Sequence, residues 1–541
     1  MCPRVRADVD CVDETGPRVS RGARHVVAAS VLAAVLAAQA GWFAATTSGT
    51  YDETRYLELG REAYSGQFDG FAKDGVAPLP VLLGYALPVL SGEHEYARAI
   101  LLARISAIAL IGVPLVVIAY ASLLRASGEA AALAGTALLV LSPNIVANAA
   151  LAATDIGFIA GALAALGALV TYLERRSRGA LAALAVSLGV ALAAKYSTLS
   201  LFPVVALTLF VSERGVRERS HRGLVRRAAA AAAVTIGLFA FALLVVWAAH
   251  GFAMATIELP RLGSVRLPAA VAGVMTQLVH QRGGHPGFLL GQRSALGWWY
   301  FMPVAMALKS TPAELFVIGA ALLLLATTWR HLPPHHLVWR ITIACFGIVM
   351  LVNRLALGVR YGLLLIPLCM FVTADAWFRR PHGRGARPAA AVVVALQLIS
   401  SVAIAPHYLS YVNRLAGGPE AGYRHLADSN VDWGQDLPAL RAELARLGST
   451  RPLLAYFGTA PIDAYGVSAD VWDGGVRRDF ERWDWVAISV TNLDGVYQPT
   501  DPYADFRRLQ PGGRAAYSIL LYPTNRADVR AAMATAAVRL R

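Results

Sequence analysis

Residues 228–249 read AAAAAAVTIGLFAFALLVVWAA, with no charged or strongly polar side chain. A backbone in lipid must satisfy its own hydrogen bonds. A helix of roughly 20 apolar residues does so while crossing the hydrocarbon layer. Similar runs lie near 26–46, 98–122, 129–147, 155–173, 180–194, 196–211, 298–328, 337–353, 361–378 and 389–406. With 56% of 541 residues hydrophobic and only 16% charged, the composition is outside the soluble range. The expected fold class is a polytopic α-helical membrane protein of about 11 transmembrane helices. The first run is no cleavable signal, because further spans follow it. The shorter stretch 76–90, VAPLPVLLGYALPVL, carries three prolines and reads as re-entrant or interfacial.

The net charge of +14 could suggest a nucleic-acid partner. Its placement argues against one. Arginine gathers in short connectors, ERRSRG (174–179), SERGVRERSHRGLVRR (212–227) and FRRPHGRGARP (378–388). This is the bias that keeps basic loops in the cytoplasm. With the basic tail 1–25 also inside, eleven crossings put all these connectors in the cytoplasm. The loops 47–97 and 250–297 and everything after 407 then fall outside. The expected location is the cytoplasmic (inner) membrane, with membrane lipids as surroundings and no nucleic acid. Of the four cysteines, Cys2 and Cys11 lie in the tail and Cys345 and Cys369 in apolar runs, so neither a structural disulfide nor a thiolate metal site is expected.

After residue 407 the apolar runs shorten. PLLAYFG, WVAISVT and AAYSILLYP have strand character. DLPALRAELARLG (436–448) has helical periodicity, with Asp436 as a candidate N-cap, and 524–541 is a helix-like tail. The organisation expected is a tail (1–25), a transmembrane domain (26–407), and a linker with a small extracytoplasmic α/β domain (408–541).

The stretch YDETRY (51–56) sits at the mouth of the first span. On a helix starting near Glu53, Tyr56, Leu59, Gly60, Ala63 and Tyr64 share one face. Asp52 then stands where a carboxylate could cap free N–H groups, or where it could act as a base. Glu53, Arg55 and Glu58 suit a solvated face. Asp155, Lys195 and Arg360 each lie at the outer end of an apolar run, on the face that carries Asp52. Charges beside apolar spans are costly and tend to be functional. A lone Lys or Arg there can also be an interface anchor. An acid with two cations at one depth suggests a general base beside a site for an anionic group. The first outer loop has no D-x-D motif, so no divalent metal and no other cofactor is expected. His331, His335 and His336 read as cytoplasmic loop residues. His280 and His285 read as outer-loop residues, with a metal role as the alternative.

YDETRY, the later ATD, AAKYSTL (193–199), LALGVRYGLLLIP (355–367) and HPGFLLGQRSALGWWYFMPVAMALKSTP (285–312) together resemble the integral-membrane glycosyltransferases of C-type fold. Within them the similarity is to family 39, the protein O-mannosyltransferase-like enzymes. YLSYVNRLAGGPEAGYRHLADSNVDWGQDL (408–437) is similar to a signature of bacterial members with an extra outer domain. The resemblance implies a polyprenyl-phosphate sugar donor and an acceptor hydroxyl on a protein, lipid or polysaccharide. It implies inverting transfer on the outer face. It puts the family's base at Asp52 and its second acid at Glu53; Lys195 and Arg360, as fixed cations, suit the growing charge of the donor phosphate. Asp155, and Lys73 or Asp74 in the first loop, are further candidates. The competing reading is a transporter or flippase of lipid-linked sugars. Transporters often show repeated halves with charges at the midplane; no repeat is visible and the charges cluster at one face. DSNVDWGQD (428–436) is turn chemistry before a helix, which suits a rigid linker or, more sharply, a roof over the site. The charge bias predicts that reporter fusions at 220 and 470 lie on opposite sides of the membrane; the same side for both would overturn the orientation.

Overall fold

The structure is a computed structural model that describes residues 21–212, 221–259, 263–327, 329, 332–353, 355–379, 385–472 and 480–540. Cys2, Cys11, His331, most of the tail 1–25 and parts of the connectors 212–227 and 378–388 lie outside the described residues. Among the described residues, six helices are long and apolar enough to cross a membrane: Arg21–Thr46, Tyr96–Ser127, Asp155–Arg175, His221–Ala249, Pro334–Val352 and Arg387–Ile404. A bent pair, Glu129–Val140 with Pro143–Ala149, makes a seventh if taken as one span. The shorter apolar helices Arg178–Ala194, Leu201–Ser212 and Pro312–Ala326 pack against the longer ones. Asp155–Arg175 and Arg178–Ala194 lie close because Gly161 has no side chain; a Cβ there would come within 2.7 Å of Ala191 Cα.

The interruptions follow local chemistry. Pro143, lacking an N–H, opens a new helix after Ser142, and the axis bends by 68°. The run 298–328, expected as one span, is two helices, Phe301–Lys309 and Pro312–Ala326. Thr311 Oγ1 accepts from the Glu314 N–H (3.0 Å), Glu314 Oε2 accepts from the Thr311 N–H (2.9 Å), and Pro312 follows the cap. This capping box starts a helix where the apolar pattern runs on. The stretch 76–90 forms two short helices, Pro78–Gly84 and Ala86–Leu90.

The segment after 407 carries a five-stranded mixed sheet. Its spatial order is Asp470–Val471, Pro452–Ala455, Trp485–Ser489, Ile519–Pro523, Gly513–Ala515. The first three strands are parallel, and the last two pairings are antiparallel. Strand alternation sends Leu453, Val486, Ile488 and Leu520 toward Val529 and Met533 of helix Ala527–Arg539. Leu454, Ala487, Ile519 and Leu521 pack instead with Leu437, Leu440 and Leu444 of helix Leu437–Arg446. Asp436 does not cap that helix with its side chain; its carboxylate accepts from Ser518 Oγ (2.7 Å).

One buried ion pair joins the first helices. Glu53 and Arg104 have no exposed side-chain surface. Glu53 Oε1 accepts from Arg104 Nε (2.9 Å) and the Ala152 N–H (3.0 Å). Its Oε2 accepts from Arg104 Nη2 (2.6 Å), the Thr50 N–H (2.8 Å) and Thr50 Oγ1 (2.9 Å). The same guanidinium donates to the carbonyls of Ala44, Thr47 and Ser48. Burial opposes the charge on Glu53, yet Arg104 and these donors hold its carboxyl below the usual range. Arg104→Leu leaves Glu53 buried without its partner. It is expected to destabilise the fold by about 3–5 kcal/mol, read as a lower melting temperature in detergent, with the Glu53→Leu/Arg104→Leu double variant recovering part of the loss. An unchanged melting temperature for Arg104→Leu would remove this pair as an anchor.

Candidate active site

A cavity of about 760 Å³ lies between the ends of the membrane helices and the C-terminal sheet unit. Its polar lining comes from distant parts of the chain. Asp52 stands in the first turn of helix Tyr51–Tyr64. Lys195 follows the last residue of helix Arg178–Ala194, where the backbone turns extended. Arg360 sits on the 3₁₀ turn Val359–Gly362.

These groups form an alternating chain of charge. Arg360 Nη1 donates to Asp52 Oδ2 at 3.0 Å and lies 3.8 Å from Asp155 Oδ2. Lys195 Nζ donates to Asp155 Oδ1. Asp155 is buried at the start of helix Asp155–Arg175, behind both cations. Aromatic faces complete the cation sites. The Arg360 guanidinium lies 4.1 Å from the Trp433 ring centroid and 5.2 Å from that of Tyr361, while Lys195 Nζ lies 4.6 Å from Tyr361. Among the described residues, Asp52 Oδ1 makes no hydrogen bond, and the buried Arg360 Nε has no partner.

The structure thus brings Asp52, Lys195 and Arg360 to one cavity, with Asp155 behind them. Asp74 also lines it and accepts from Arg55 Nε at 2.7 Å. Lys73 is exposed and does not line it. Glu53 was expected beside Asp52 as a second acid on a solvated face. It is instead sealed in the bundle, with both oxygens taken by the donors described above. Asp52 does not act as the helix cap; Thr50 holds that position. His280, on helix Ala269–Gly283, and His285 form part of the cavity wall, with ring centroids 6.1 Å apart.

His335 and His336, expected in a loop, are buried in the first turns of helix Pro334–Val352. They face Asp375, which also accepts from Arg379 Nη2 (2.7 Å) and Ser127 Oγ (2.5 Å). The ligand atoms of His335, His336 and Asp375 lie within 4.8 Å of one another. Arg379 already neutralises that carboxylate, and the group stands at the ends of its helices away from Arg360.

Sequence reasoning offered residues 428–436 as a roof only as the sharper of two readings, and it did not pick out Phe457, Thr459 or Tyr497. Asp428, Trp433, Phe457, Thr459 and Tyr497 all line the cavity. Asp428 has a left-handed backbone (φ 57°) and accepts from the Tyr497 hydroxyl and the Ser429 N–H. Burial pushes its carboxyl up. Phe457 stacks between Tyr51 (5.4 Å) and Tyr497 (5.5 Å). Thr459 Oγ1 donates to the Tyr51 carbonyl (2.8 Å). The density of Asp, Asn, Trp and Gly in 428–436 was the available signal.

Residues 98–247 match the family model described as dolichyl-phosphate-mannose-protein mannosyltransferase. No curated protein sequence matches the chain. Among solved structures, it is similar to the archaeal oligosaccharyltransferase AglB from Archaeoglobus fulgidus, in complex with an inhibitory peptide and a dolichol-phosphate. That similarity has a TM-score of 0.50 and 13% identity, over 90% of this chain and 72% of that one. ArnT from Cupriavidus metallidurans, bound to undecaprenyl phosphate, matches at TM-score 0.34 and 14% identity, over 94% and 99%. The S. cerevisiae protein O-mannosyltransferase Pmt1–Pmt2 complex bound to the sugar donor matches at 0.34 and 19%, over 43% of this chain. This chain spans about a third (34%) of that yeast chain's length. The AglB likeness shows the fold. The chain is a polytopic membrane protein of the C-type glycosyltransferase fold, with the mannosyltransferase family's pattern in residues 98–247.

Beneath the roof, Asp432 is fully buried, its Oδ2 accepting from the Thr491 N–H (3.0 Å) and its Oδ1 from the Gly434 N–H (3.2 Å). Burial pushes its carboxyl up to about 8 from an ordinary 3.8. The folded chain therefore holds this proton more tightly than the unfolded chain. Its contribution to stability is complete below about pH 4 and is lost as pH rises through about 8. Asp432→Asn is expected to flatten that slope in a melting-temperature profile from about pH 5 to 9; a wild-type slope in the variant would rule Asp432 out as its source.

Proposed function

We propose that the protein is a membrane glycosyltransferase that moves a sugar from a polyprenyl-phosphate donor to an acceptor hydroxyl on the outer face, with inversion. The observation that carries this is the convergence of Asp52, Arg360 and Lys195 on one cavity that runs on into an apolar groove. The groove, of about 290 Å³, shares Tyr196, Ser197, Gln277 and Tyr361 with the cavity and continues over Leu199, Leu278, Phe346 and Met350. A prenyl chain suits that surface, and a phosphate at its head suits the two cations. The match of residues 98–247 to the mannosyltransferase family supports the donor class.

In the proposed reaction the acceptor oxygen attacks the anomeric carbon while the bond from that carbon to the phosphate oxygen breaks. The acceptor proton passes to Asp52, whose Oδ1 is free to receive it. The electron pair of the broken bond stays on the leaving phosphate, beside Arg360 and Lys195. Arg360 keeps donors to spare, since a guanidinium has five N–H groups and one is committed to Asp52. Fixed cations and a positioned base are worth most where water is excluded. Glu53 takes a scaffold role in this reading and Asp155 balances the cations. Asp428, Thr459 and Tyr497 border the acceptor side. The eleven crossings, the cytoplasmic basic connectors and the extracytoplasmic C-terminal unit complete the proposal. With the bent pair taken as one span, the three short apolar helices and helix Leu365–Arg379 bring the seven long candidates to eleven.

Asp52→Asn preserves size and is expected to lower transfer from a labelled polyprenyl-phosphate sugar, assayed with cell-envelope acceptors, by about 10²–10⁴-fold, with melting temperature unchanged. Near-normal turnover of the purified variant would sink the base assignment.

A further inference from the structure

We propose that residues 428–437 are a positioning clamp: one continuous segment that holds the loop before Asp52 with one end and the loop before Arg360 with the other, and so sets their separation. The inference rests on reading Asp52 and Arg360 as the reacting pair.

On the Arg360 side, Asn430 Oδ1 accepts from the Val359 N–H (3.0 Å) and Asn430 Nδ2 donates to the Leu357 carbonyl (3.3 Å). Ser429 Oγ donates to the same carbonyl (3.1 Å). Lys309, buried, fixes Asn430 in turn by donating to its carbonyl (2.5 Å). On the Asp52 side, the Tyr51 N–H donates to the Trp433 carbonyl (2.9 Å) and the Ser48 N–H to the Gln435 carbonyl (2.8 Å). Ser48 Oγ donates to the Gly434 carbonyl (2.8 Å) and accepts from the Leu437 N–H (3.1 Å).

Trp433 belongs to both halves. Its carbonyl holds Tyr51, next to Asp52, and its ring faces the Arg360 guanidinium at 4.1 Å. The indole is 2% exposed. Gly434, at φ 86°, allows the reversal between the two halves. A Cβ there would meet the Gly458 Cα and the Phe457 carbonyl oxygen at 3.0 Å. A mere linker would need neither the side-chain bonds to the 357–359 backbone nor an indole against the cation.

The test uses the full-length protein in lipid nanodiscs with undecaprenyl phosphate as probe. Trp433→Leu removes the π face and is expected to raise the Kd about tenfold, whereas Trp433→Phe keeps a face and stays within about threefold of wild type. Asn430→Ser, which tests the other arm without touching the core indole, is expected to weaken binding several-fold at a near-normal melting temperature. It keeps the proposal testable if Trp433→Leu does not fold. Wild-type affinity in Asn430→Ser, or equal affinities for folded Trp433→Leu and Trp433→Phe, would overturn the clamp. Arg360→Ala is the control that separates the two ideas. If it binds the probe as wild type does, the cation assignment fails and the clamp falls with it. If it loses the probe while the clamp variants do not, only the clamp is wrong.

Discussion

The Glu53–Arg104 pair organises the end of the bundle that carries Asp52. A buried ion pair is stabilising only when its remaining lone pairs and protons are satisfied. This one meets that condition: the carboxylate takes five donors, and the guanidinium closes on the carbonyls that end the first helix. The pair therefore joins the first helix, the helix Tyr51–Tyr64, the span Tyr96–Ser127 and the strand of chain at Ala152 in one node. Neighbouring residues on a helix point about 100° apart. Fixing Glu53 into the bundle turns Asp52 toward the cavity. The two acids of YDETRY thus divide their work by direction, one inward and one toward the site.

What the sequence showed follows from the range of the forces involved. Apolar runs are a local pattern, and they located the six or seven helices among the described residues that are long enough to cross. The capping box at Thr311–Glu314 is equally local, but it lies inside an apolar run and was overridden by hydropathy. Asp52, Asp155, Lys195 and Arg360 stood out because a charge beside an apolar run is expensive wherever it occurs. Arg104 met the same criterion and was passed over, lying inside a run taken whole as a span. Glu53 was misplaced because its partner is 51 residues away in the chain. The roof was legible only in part, as one of two readings of DSNVDWGQD. Asp428, Phe457 and Tyr497 reach the cavity only through packing of a unit whose strands pair far from Asp52 in sequence. Turn chemistry explained the local shape of DSNVDWGQD and left linker and roof as alternatives, since its long-range contacts are not a local pattern.

The charge chain Asp52–Arg360–Asp155–Lys195 carries as many formal acids as cations. A neutral set is affordable in a poorly hydrated place, where an unmatched charge would be expelled or neutralised. An arriving phosphate would change that balance by its own charge, and the same arginine touches both the proposed phosphate site and the proposed base. Contact between Arg360 and the leaving group would draw the guanidinium away from Asp52. In the proposed reading the base and the donor site are joined through one side chain, which is why its aromatic and backbone supports matter. Trp433 and Asn430 bound how far Arg360 can travel, and both come from the C-terminal segment. On this argument the roof belongs to the chemistry of the site and is more than a cover over it.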